Sequence, residues 1–232
     1  MTATSSPKPR QDLALACKRM IDVAGAGVGL VILSPVLAGL AVVLAVTQGR
    51  PILFRHERPG LGGRPFTMLK FRTMRPPLPG EDLYYTDHQR MTRLGRFLRS
   101  SSVDELPELW NVLRGEMSLV GPRPLLTEYL PHYTSEERRR HDMRPGFTSW
   151  AAVNGRHTRM FRDRLALDVW YVDHWSLRLD LRIMGMTANQ VLRRTDVAAT
   201  QDLDAVGFPL SPANHDLDDR PTNETKESGP PS

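Results

Sequence analysis

Hydrophobic positions divide this chain into one long apolar segment and a series of shorter periodic elements. Residues 20–46 are almost wholly apolar, interrupted by Asp22 and by the pair Ser34-Pro35. A straight helix of this length would rise roughly 40 Å, which is enough to cross the hydrocarbon core of a bilayer. The segment is too long for a cleaved signal peptide, and no clear small-residue cleavage site follows it. The pattern therefore predicts a helix inserted in a membrane.

Two features favour a hairpin over a simple span. Pro35 lies near the midpoint and predicts a kink, and Ser34 can hydrogen-bond a carbonyl that the kink frees. Basic residues flank both ends: Lys8, Arg10, Lys18 and Arg19 precede the segment, and Arg50, Arg55 and Arg58 follow it. Because basic residues mark the cytoplasmic side, both ends are expected on that side. We predict a re-entrant helix-break-helix hairpin over residues 12–49, with a kinked single span as the alternative.

The rest of the chain has the pattern of one domain, mostly helical with short strands, which we class as α/β over residues 50–195. The pattern predicts a strand over Pro65–Met74, helices over Thr92–Ser100, Tyr129–Met143, Phe161–His174 and Leu177–Arg194, and a turn, short strand and turn over Arg144–Arg156. Residues 1–11 are expected to be flexible, and the Pro-, Asp- and Ser-rich residues 196–232 to be disordered.

A further helix is predicted in the middle of the chain, from the apolar positions Leu106, Leu109, Trp110 and Leu113. Ser102 and Glu105 match a capping box at its start, and Gly115 marks its end. Asp104 and Glu105 would then lie in the first helical turn, where free N–H groups and the helix dipole favour negative charge. An ionised carboxylate can act as a nucleophile or a metal ligand, although capping alone is the commoner role of such a pair.

Pro107 leaves the start of this helix open. If Asp104 caps the helix, Pro107 falls in the first turn and loses no hydrogen bond. If Ser102 caps it, one backbone hydrogen bond goes unmade.

Charge narrows the range of partners. The net charge of +5 and a pI near 9.7 favour an anionic partner: nucleic acid, acidic lipid or a phosphorylated substrate. The apolar segment argues against nucleic acid. The single cysteine, Cys17, excludes an internal disulfide framework.

Several charged residues are candidates for a site. Period two places Lys70 and Arg72 on one strand face, and prolines on both sides restrict the backbone of Arg123. Such cations suit phosphate, although a solvated strand face and a rigid turn are ordinary alternatives. Asp168 lies on the apolar face of its predicted helix, so we expect it to be functional or paired with an arginine in a salt bridge.

Taken together, the motifs resemble those of the bacterial sugar transferases, specifically the small monotopic phosphoglycosyl transferases. The resemblance runs from about Lys18 to about Arg194. Its landmarks are Lys18-Arg-Met-Ile-Asp, Ser34-Pro35, Arg58-Pro-Gly, Leu69-Lys-Phe-Arg-Thr-Met, Ser102-Val-Asp-Glu-Leu-Pro, Asn111-Val-Leu-Arg-Gly-Glu-Met-Ser, Val120-Gly-Pro-Arg-Pro, Arg144-Pro-Gly, Val153-Asn-Gly-Arg and Leu167-Asp-Val-Trp-Tyr-Val. Each motif alone is weak, but their order and spacing are highly specific.

The resemblance implies an enzyme that transfers a phosphosugar from a UDP-sugar to polyprenyl (undecaprenyl) phosphate, releasing UMP through a covalent aspartyl intermediate and requiring Mg²⁺. Asp104 and Glu105 match the catalytic dyad, and with Asp168 they are the expected metal ligands. The expected substrate-binding residues are Lys70, Arg72, Arg99, Arg123, Asn154 and Arg156. The implied location is the bacterial inner membrane, with the catalytic domain facing the cytoplasm, at the first membrane step of glycan assembly. Downstream glycosyltransferases are conceivable partners.

One position departs from the family pattern. Ala152 stands where the family usually has glutamine in Trp-Ala-Gln-Val-Asn-Gly-Arg, which removes one side-chain amide. This substitution is the only support for the alternative function, a non-catalytic membrane-anchored protein that binds lipid or a glycan-assembly partner.

Overall fold

The computed structural model describes residues 9–76, 78–79, 90–154 and 161–193. Their helices and strands, in chain order, are α1 (Pro9–Gln48), β1 (Leu53–Pro59), β2 (Pro65–Phe71), α2 (Arg93–Ser100), α3 (Glu108–Arg114), β3 (Ser118–Val120), α4 (Ser135–Arg138), β4 (Gly146–Thr148), α5 (Trp150–Asn154), α6 (Phe161–Asp173) and α7 (Leu177–Arg193). The mostly helical architecture with short strands is as predicted. The predicted flexible segment 1–11 is wrong at residues 9–11, which form the start of α1. Residues 1–8 and the predicted tail 196–232 lie outside the described residues.

Helix α1 is the one described helix that is long and apolar enough to cross a membrane, and it contains Pro35. Pro35 cannot donate to the carbonyl of Val31, and the Ser34 hydroxyl donates to that carbonyl instead, at 2.8 Å. The predicted role of Ser34 is therefore confirmed. Helix α1 continues through Pro35, and the re-entrant hairpin stays a prediction.

One face of α1 packs against the rest of the domain along most of its length. Ala26 and Leu44 are almost fully buried, 18 residues apart, in two different hydrophobic clusters. The opposite face is apolar and exposed, at Met20, Val23, Val28, Val31, Val42 and Val46. An apolar face without a protein partner is compatible with a membrane anchor.

Polar side chains in the first half of α1 attach it to the domain. Lys18 Nζ donates to the carbonyl of Val120 at 2.8 Å and pairs with Asp180 at 2.7 Å. Asp22 accepts from the Leu119 amide at 2.9 Å. These contacts explain the charged residues in this apolar helix, because Lys18 and Asp22 bond to β3 and α7.

Arg19 has a separate role at the end of α3. Its guanidinium donates to the last carbonyls of that helix, Val112 O at 2.6 Å and Leu113 O at 2.8 Å. The C-terminal carbonyls of a helix lack intrahelical donors and carry partial negative charge, so a cation there is stabilising.

Two small sheets carry the loops of the site. Strands β1 and β2 form an antiparallel hairpin, in which Phe54 is opposite Lys70 and His56 is opposite Met68. Strands β3 and β4 are parallel and very short. Gly121 and Gly146 allow this close approach, because a Cβ on Gly146 would lie 2.0 Å from the Gly121 amide nitrogen.

The predicted capping box at Ser102 is wrong. Ser102 has a left-handed backbone, with φ of 55°, and makes no side-chain cap. Helix α3 begins only after Pro107, because proline has no backbone N–H to donate to a carbonyl of a preceding helical turn. Asp104 and Glu105 therefore lie in a separate 3-10 turn, Val103–Glu105, ahead of the helix. The predicted end at Gly115 is confirmed, with φ of 82°.

Two other predicted elements differ from the structure. The predicted helix over 129–143 is divided into 3-10 turns at Thr127–His132 and Arg139–Asp142 around the short α4, which Thr134 caps. The predicted turn after β4 is instead α5, where the Ser149 hydroxyl accepts from the Ala152 amide at 3.0 Å. Local side-chain caps decide the backbone at both places.

Candidate functional site

A cleft of about 690 Å³ lies between the β1–β2 hairpin, the 3-10 turn Val103–Glu105 and the turn that carries Arg123. Four predicted cations line it with the two predicted carboxylates: Lys70, Arg72, Arg99, Arg123, Asp104 and Glu105. The structure thus brings together most of the residues that the sequence suggested. The excess of cations makes the cleft suitable for a ligand with several negative charges.

Asp104 is buried, with 3 % of its surface exposed. Its Oδ1 atom has no hydrogen-bond partner within the described part of the chain. Burial, and then the negative charge of Glu105, raise the pKa of Asp104 despite the opposing effects of Lys70 and Arg99. The expected low pKa from a helix terminus is therefore wrong for Asp104, because this residue lies ahead of the helix and away from water. A buried carboxylate oxygen without a donor is available to a ligand.

Glu105 is held between two cations. Its Oε1 atom is 2.6 Å from Lys70 Nζ and 3.2 Å from Arg123 Nη2. Burial acts to raise the pKa of Glu105, but the charges and hydrogen bonds of Arg123 and Lys70 outweigh it and lower that pKa. Lys70 and Arg123 thus hold Glu105 in its ionised form, whereas no cation is bonded directly to Asp104 Oδ1 within the described residues.

Glu108 is a third acidic residue of the cleft that the sequence analysis did not single out. Its Oε1 atom is 3.3 Å from Lys70 Nζ, so Lys70 lies between two glutamates. Burial and the charge of Glu105 raise the pKa of Glu108. The available signal was its position, three residues after Glu105 and just behind Pro107, at the start of α3.

Arg72 and Arg99 line the cleft while also bonding to the protein. The guanidinium of Arg72 donates to the carbonyl of Gln48, the last residue of α1, and to the carbonyl of Gly49, which follows it. Arg72 therefore links the end of the apolar helix to the cleft. Arg99 Nε donates to Thr73 Oγ1 at 3.2 Å. Both residues therefore have structural contacts that their position in the sequence did not indicate.

The hairpin contributes an aromatic wall. Phe54 and His56 both line the cleft from β1, and their ring centroids are 5.5 Å apart. Burial and the charge of Arg58 lower the pKa of His56 below its usual value. The cleft therefore combines a polar end at the dyad with a neutral aromatic wall beside it.

Two predicted site residues within the described ranges, Asn154 and Asp168, do not line the cleft. Asn154 is exposed on α5, where its amide donates to the Trp150 carbonyl at 3.2 Å. Arg156 lies outside the described residues. Asp168 is buried in α6 and pairs with Arg140 at 2.5 Å. Asp168 therefore matches the salt-bridge alternative. Ala152, on α5, is likewise absent from the described residues that line the cleft.

The donor set decides which residues could hold Mg²⁺. Within the described ranges, no three His, Cys, Asp or Glu side chains are grouped so as to hold a metal ion. Mg²⁺ is commonly bound by one or two carboxylates together with substrate phosphates and water. Asp104, with its unpartnered oxygen, and the adjacent Glu105 fit that pattern, whereas Asp168 does not.

Comparison with known proteins gives a consistent result. Residues 13–194 match the family model described as bacterial sugar transferase. The chain is 44 % identical over 191 residues to the uncharacterized sugar transferase EpsL of Bacillus subtilis, covering 82 % of this chain and 95 % of that protein. It is 41 % identical over 196 residues to the UDP-glucose:undecaprenyl-phosphate glucose-1-phosphate transferase of Caulobacter vibrioides, covering 80 % of this chain and 73 % of that protein. A Xanthomonas campestris protein with the same name is 40 % identical over 197 residues, but the match spans only 40 % of its length.

Proposed function

Because this chain belongs to the bacterial sugar transferase family, we propose that it transfers a phosphosugar from a UDP-sugar to undecaprenyl phosphate and releases UMP. The observation that carries the proposal is Asp104, a buried carboxylate with an unpartnered oxygen in a cleft rich in cations. Two relatives are named as transferases that use UDP-glucose and undecaprenyl phosphate.

In the first step, Asp104 Oδ1 attacks the donor phosphorus that bears the sugar. The new bond is between this oxygen and phosphorus, the bond that breaks is the phosphoanhydride, and UMP leaves with the electron pair. In the second step, an oxygen of undecaprenyl phosphate attacks the same phosphorus and the Asp104 carboxylate departs unchanged. A covalent intermediate divides one difficult displacement into two easier ones.

The cations of the cleft assist this chemistry. Lys70 and Arg123 hold Glu105 and add positive charge beside the nucleophile, and Arg99 approaches Asp104 from α2. Fixed charges of this kind stabilise the negative charge that develops on the equatorial and leaving oxygens. A Mg²⁺ ion held by Asp104 and Glu105 would add charge neutralisation at the diphosphate.

The contacts of α1 support a monotopic arrangement, in which the chain enters and leaves the bilayer on the cytoplasmic side. Lys18, near the start of α1, is bonded to Val120 and Asp180, and Leu44, near its end, is packed against Phe71 and Leu98. A helix whose two halves contact the same domain is difficult to reconcile with a perpendicular crossing of the bilayer. In this proposed arrangement the cleft lies at headgroup level, where the phosphate of a membrane-held acceptor projects.

The test is UMP release by the purified full-length protein with a panel of UDP-sugars, Mg²⁺ and undecaprenyl phosphate in detergent. We expect release that depends on the acceptor, the metal and one or a few sugars. Without the acceptor, a covalent mechanism gives about one UMP per enzyme and a mass increase of one phosphosugar.

Asp104→Asn should abolish both signals, and Asp163→Asn, which changes an exposed carboxylate of α6, serves as the matched control. Full turnover without any UMP burst, or activity of Asp104→Asn within about tenfold of wild type, would refute the nucleophile. No release from any UDP-sugar by folded protein would refute the reaction itself.

A further inference from the structure

A buried ion pair behind the cleft has no role in the mechanism described so far. Arg140, in the 3-10 turn before β4, and Asp168, in the middle of α6, are 1 % and 2 % exposed. Arg140 Nη2 and Asp168 Oδ2 are 2.5 Å apart. Removing two charges from water is expensive, and apolar residues of similar size often replace such a pair without loss of stability. Stability alone is therefore a weak reason to retain this pair.

The pair contacts the backbone of a cleft residue. The same Nη2 atom of Arg140 donates to the carbonyl oxygen of Arg123 at 2.5 Å. Asp168 pairs with this same Nη2 atom and so reaches the Arg123 main chain through Arg140. Tyr133 OH, 3.3 Å from Arg140 Nη1, is a further hydrogen-bond partner of the guanidinium.

Arg123 connects the buried ion pair to the cleft. It lies between Pro122 and Pro124, so its backbone has few conformations. Its guanidinium is 3.2 Å from Glu105 Oε1 and lines the cleft. A small shift of the Arg123 carbonyl would move the guanidinium away from Glu105 and from the place proposed for the donor diphosphate.

We propose that Asp168 and Arg140 are positioning residues that hold the backbone of Arg123, and through it the guanidinium that faces Glu105. Asp168 orients Arg140, and Arg140 binds the Arg123 carbonyl. This role replaces the expected metal ligation by Asp168, and its effect on turnover rests on the proposed function.

A double-mutant cycle tests the route through Arg123. Turnover and the Kd for UDP are measured for wild type, Arg123→Ala, Arg140→Met and the double variant. We expect Arg140→Met to lower kcat/KM by about ten- to a hundredfold and to weaken UDP binding, with no further loss when it is added to Arg123→Ala. Independent, multiplying effects of the two changes would overturn the proposal.

Two further comparisons separate positioning from stability. Arg140→Met combined with Asp168→Leu replaces the buried ion pair with apolar side chains and removes the hydrogen bond to the Arg123 carbonyl. We expect it to unfold near the wild-type temperature and yet to have the low activity of Arg140→Met, whereas recovered activity would overturn the proposal. If this variant does not fold, Asp168→Asn takes its place in the cycle with Arg123→Ala, and the same additivity criterion applies.

The neighbouring pair Arg139–Asp173 joins the same turn to the same helix at the surface. Arg139→Met is therefore the matched control and should leave turnover and UDP binding unchanged. Asp168→Asn should also leave the Mg²⁺ concentration for half-maximal activity unchanged, and a large increase in that concentration would favour metal ligation instead. If wild type binds UDP but releases no UMP, the proposed function fails, and the UDP-binding cycle still decides the positioning role.

Discussion

Asn111 is the residue whose replacement tests most directly how the cleft is held together. It is fully buried in α3, and its side chain makes three hydrogen bonds. Its Oδ1 accepts from the Leu69 amide at 3.1 Å, and its Nδ2 donates to the Thr67 carbonyl and to Glu116 Oε2, both at 2.7 Å. Among the described strands, β2 pairs with β1 alone, along one edge, and Asn111 supplies hydrogen bonds to the other edge.

The expected cost of Asn111→Leu follows from these contacts. Leucine has a similar size but leaves the Leu69 amide, the Thr67 carbonyl and one Glu116 oxygen without their partner. Each unmade buried hydrogen bond costs about 1–3 kcal/mol, and the burial of leucine returns about 2 kcal/mol. We therefore expect a loss of about 1–7 kcal/mol in the free energy of unfolding.

The assay is unfolding by denaturant in detergent, followed by tryptophan fluorescence, together with UMP release. Turnover should also fall, because Lys70 follows Leu69 on β2 and contacts Glu105 and Glu108. Glu116→Gln is the control, since it keeps an acceptor for Nδ2 and should cost less than about 1 kcal/mol. A stability for Asn111→Leu within about 0.5 kcal/mol of wild type would refute the reasoning, and would mean that water satisfies this strand edge.

Two further predictions concern α2 and the buried histidine. Gly95→Ala should lower the melting temperature and turnover together, because the new Cβ would lie 1.8 Å from the Thr73 carbonyl oxygen and would displace the helix that carries Arg99. Gly185→Ala is the control, because its new Cβ would meet nothing within 4 Å. An unchanged melting temperature for Gly95→Ala would contradict the expectation. Burial and the charge of Arg140 lower the pKa of His141 to about 4. As the pH falls from about 6.5 towards about 4, His141 is therefore protonated in the unfolded chain but stays neutral in the folded protein. The free energy of unfolding decreases over that range. His141→Gln should flatten this dependence in melting curves recorded between about pH 7 and about pH 5, and parallel curves for the two proteins would exclude His141 as the source.

Sequence periodicity predicted the elements whose signals are local. The helix predicted over Thr92–Ser100 corresponds to α2, Gly115 ends α3, and the alternation before Phe71 corresponds to β2. The failure at Ser102 is also local in origin, since Pro107 prevents the longer helix that a capping box would need. The start of this helix is thus set by the proline and not by the capping-box match at Ser102.

The site was predictable in its chemical types but not in its contacts. Lys70 and Arg123 were singled out because cations in restricted segments suit phosphate. The catalytic role of the dyad was predicted from the family resemblance, since capping is the commoner role of such a pair. That Arg72 bonds to the end of α1, or that Asp168 meets Arg140, depends on pairings between distant parts of the chain. No pattern within a single element contains that information.

The packing of α1 bears on how the protein can be prepared. Anchors of membrane enzymes are often removed to obtain a soluble fragment, but here that cut would also remove Ala26 and Leu44 from two hydrophobic clusters and Lys18 from its bonds to Val120 and Asp180. A fragment that starts after Gln48 would expose the apolar surfaces of α3 and β2 and leave Asp180 without its cation. Studies of this enzyme therefore require the full chain in detergent or lipid, because the apolar helix proposed as its membrane anchor also packs into the hydrophobic clusters of its catalytic domain.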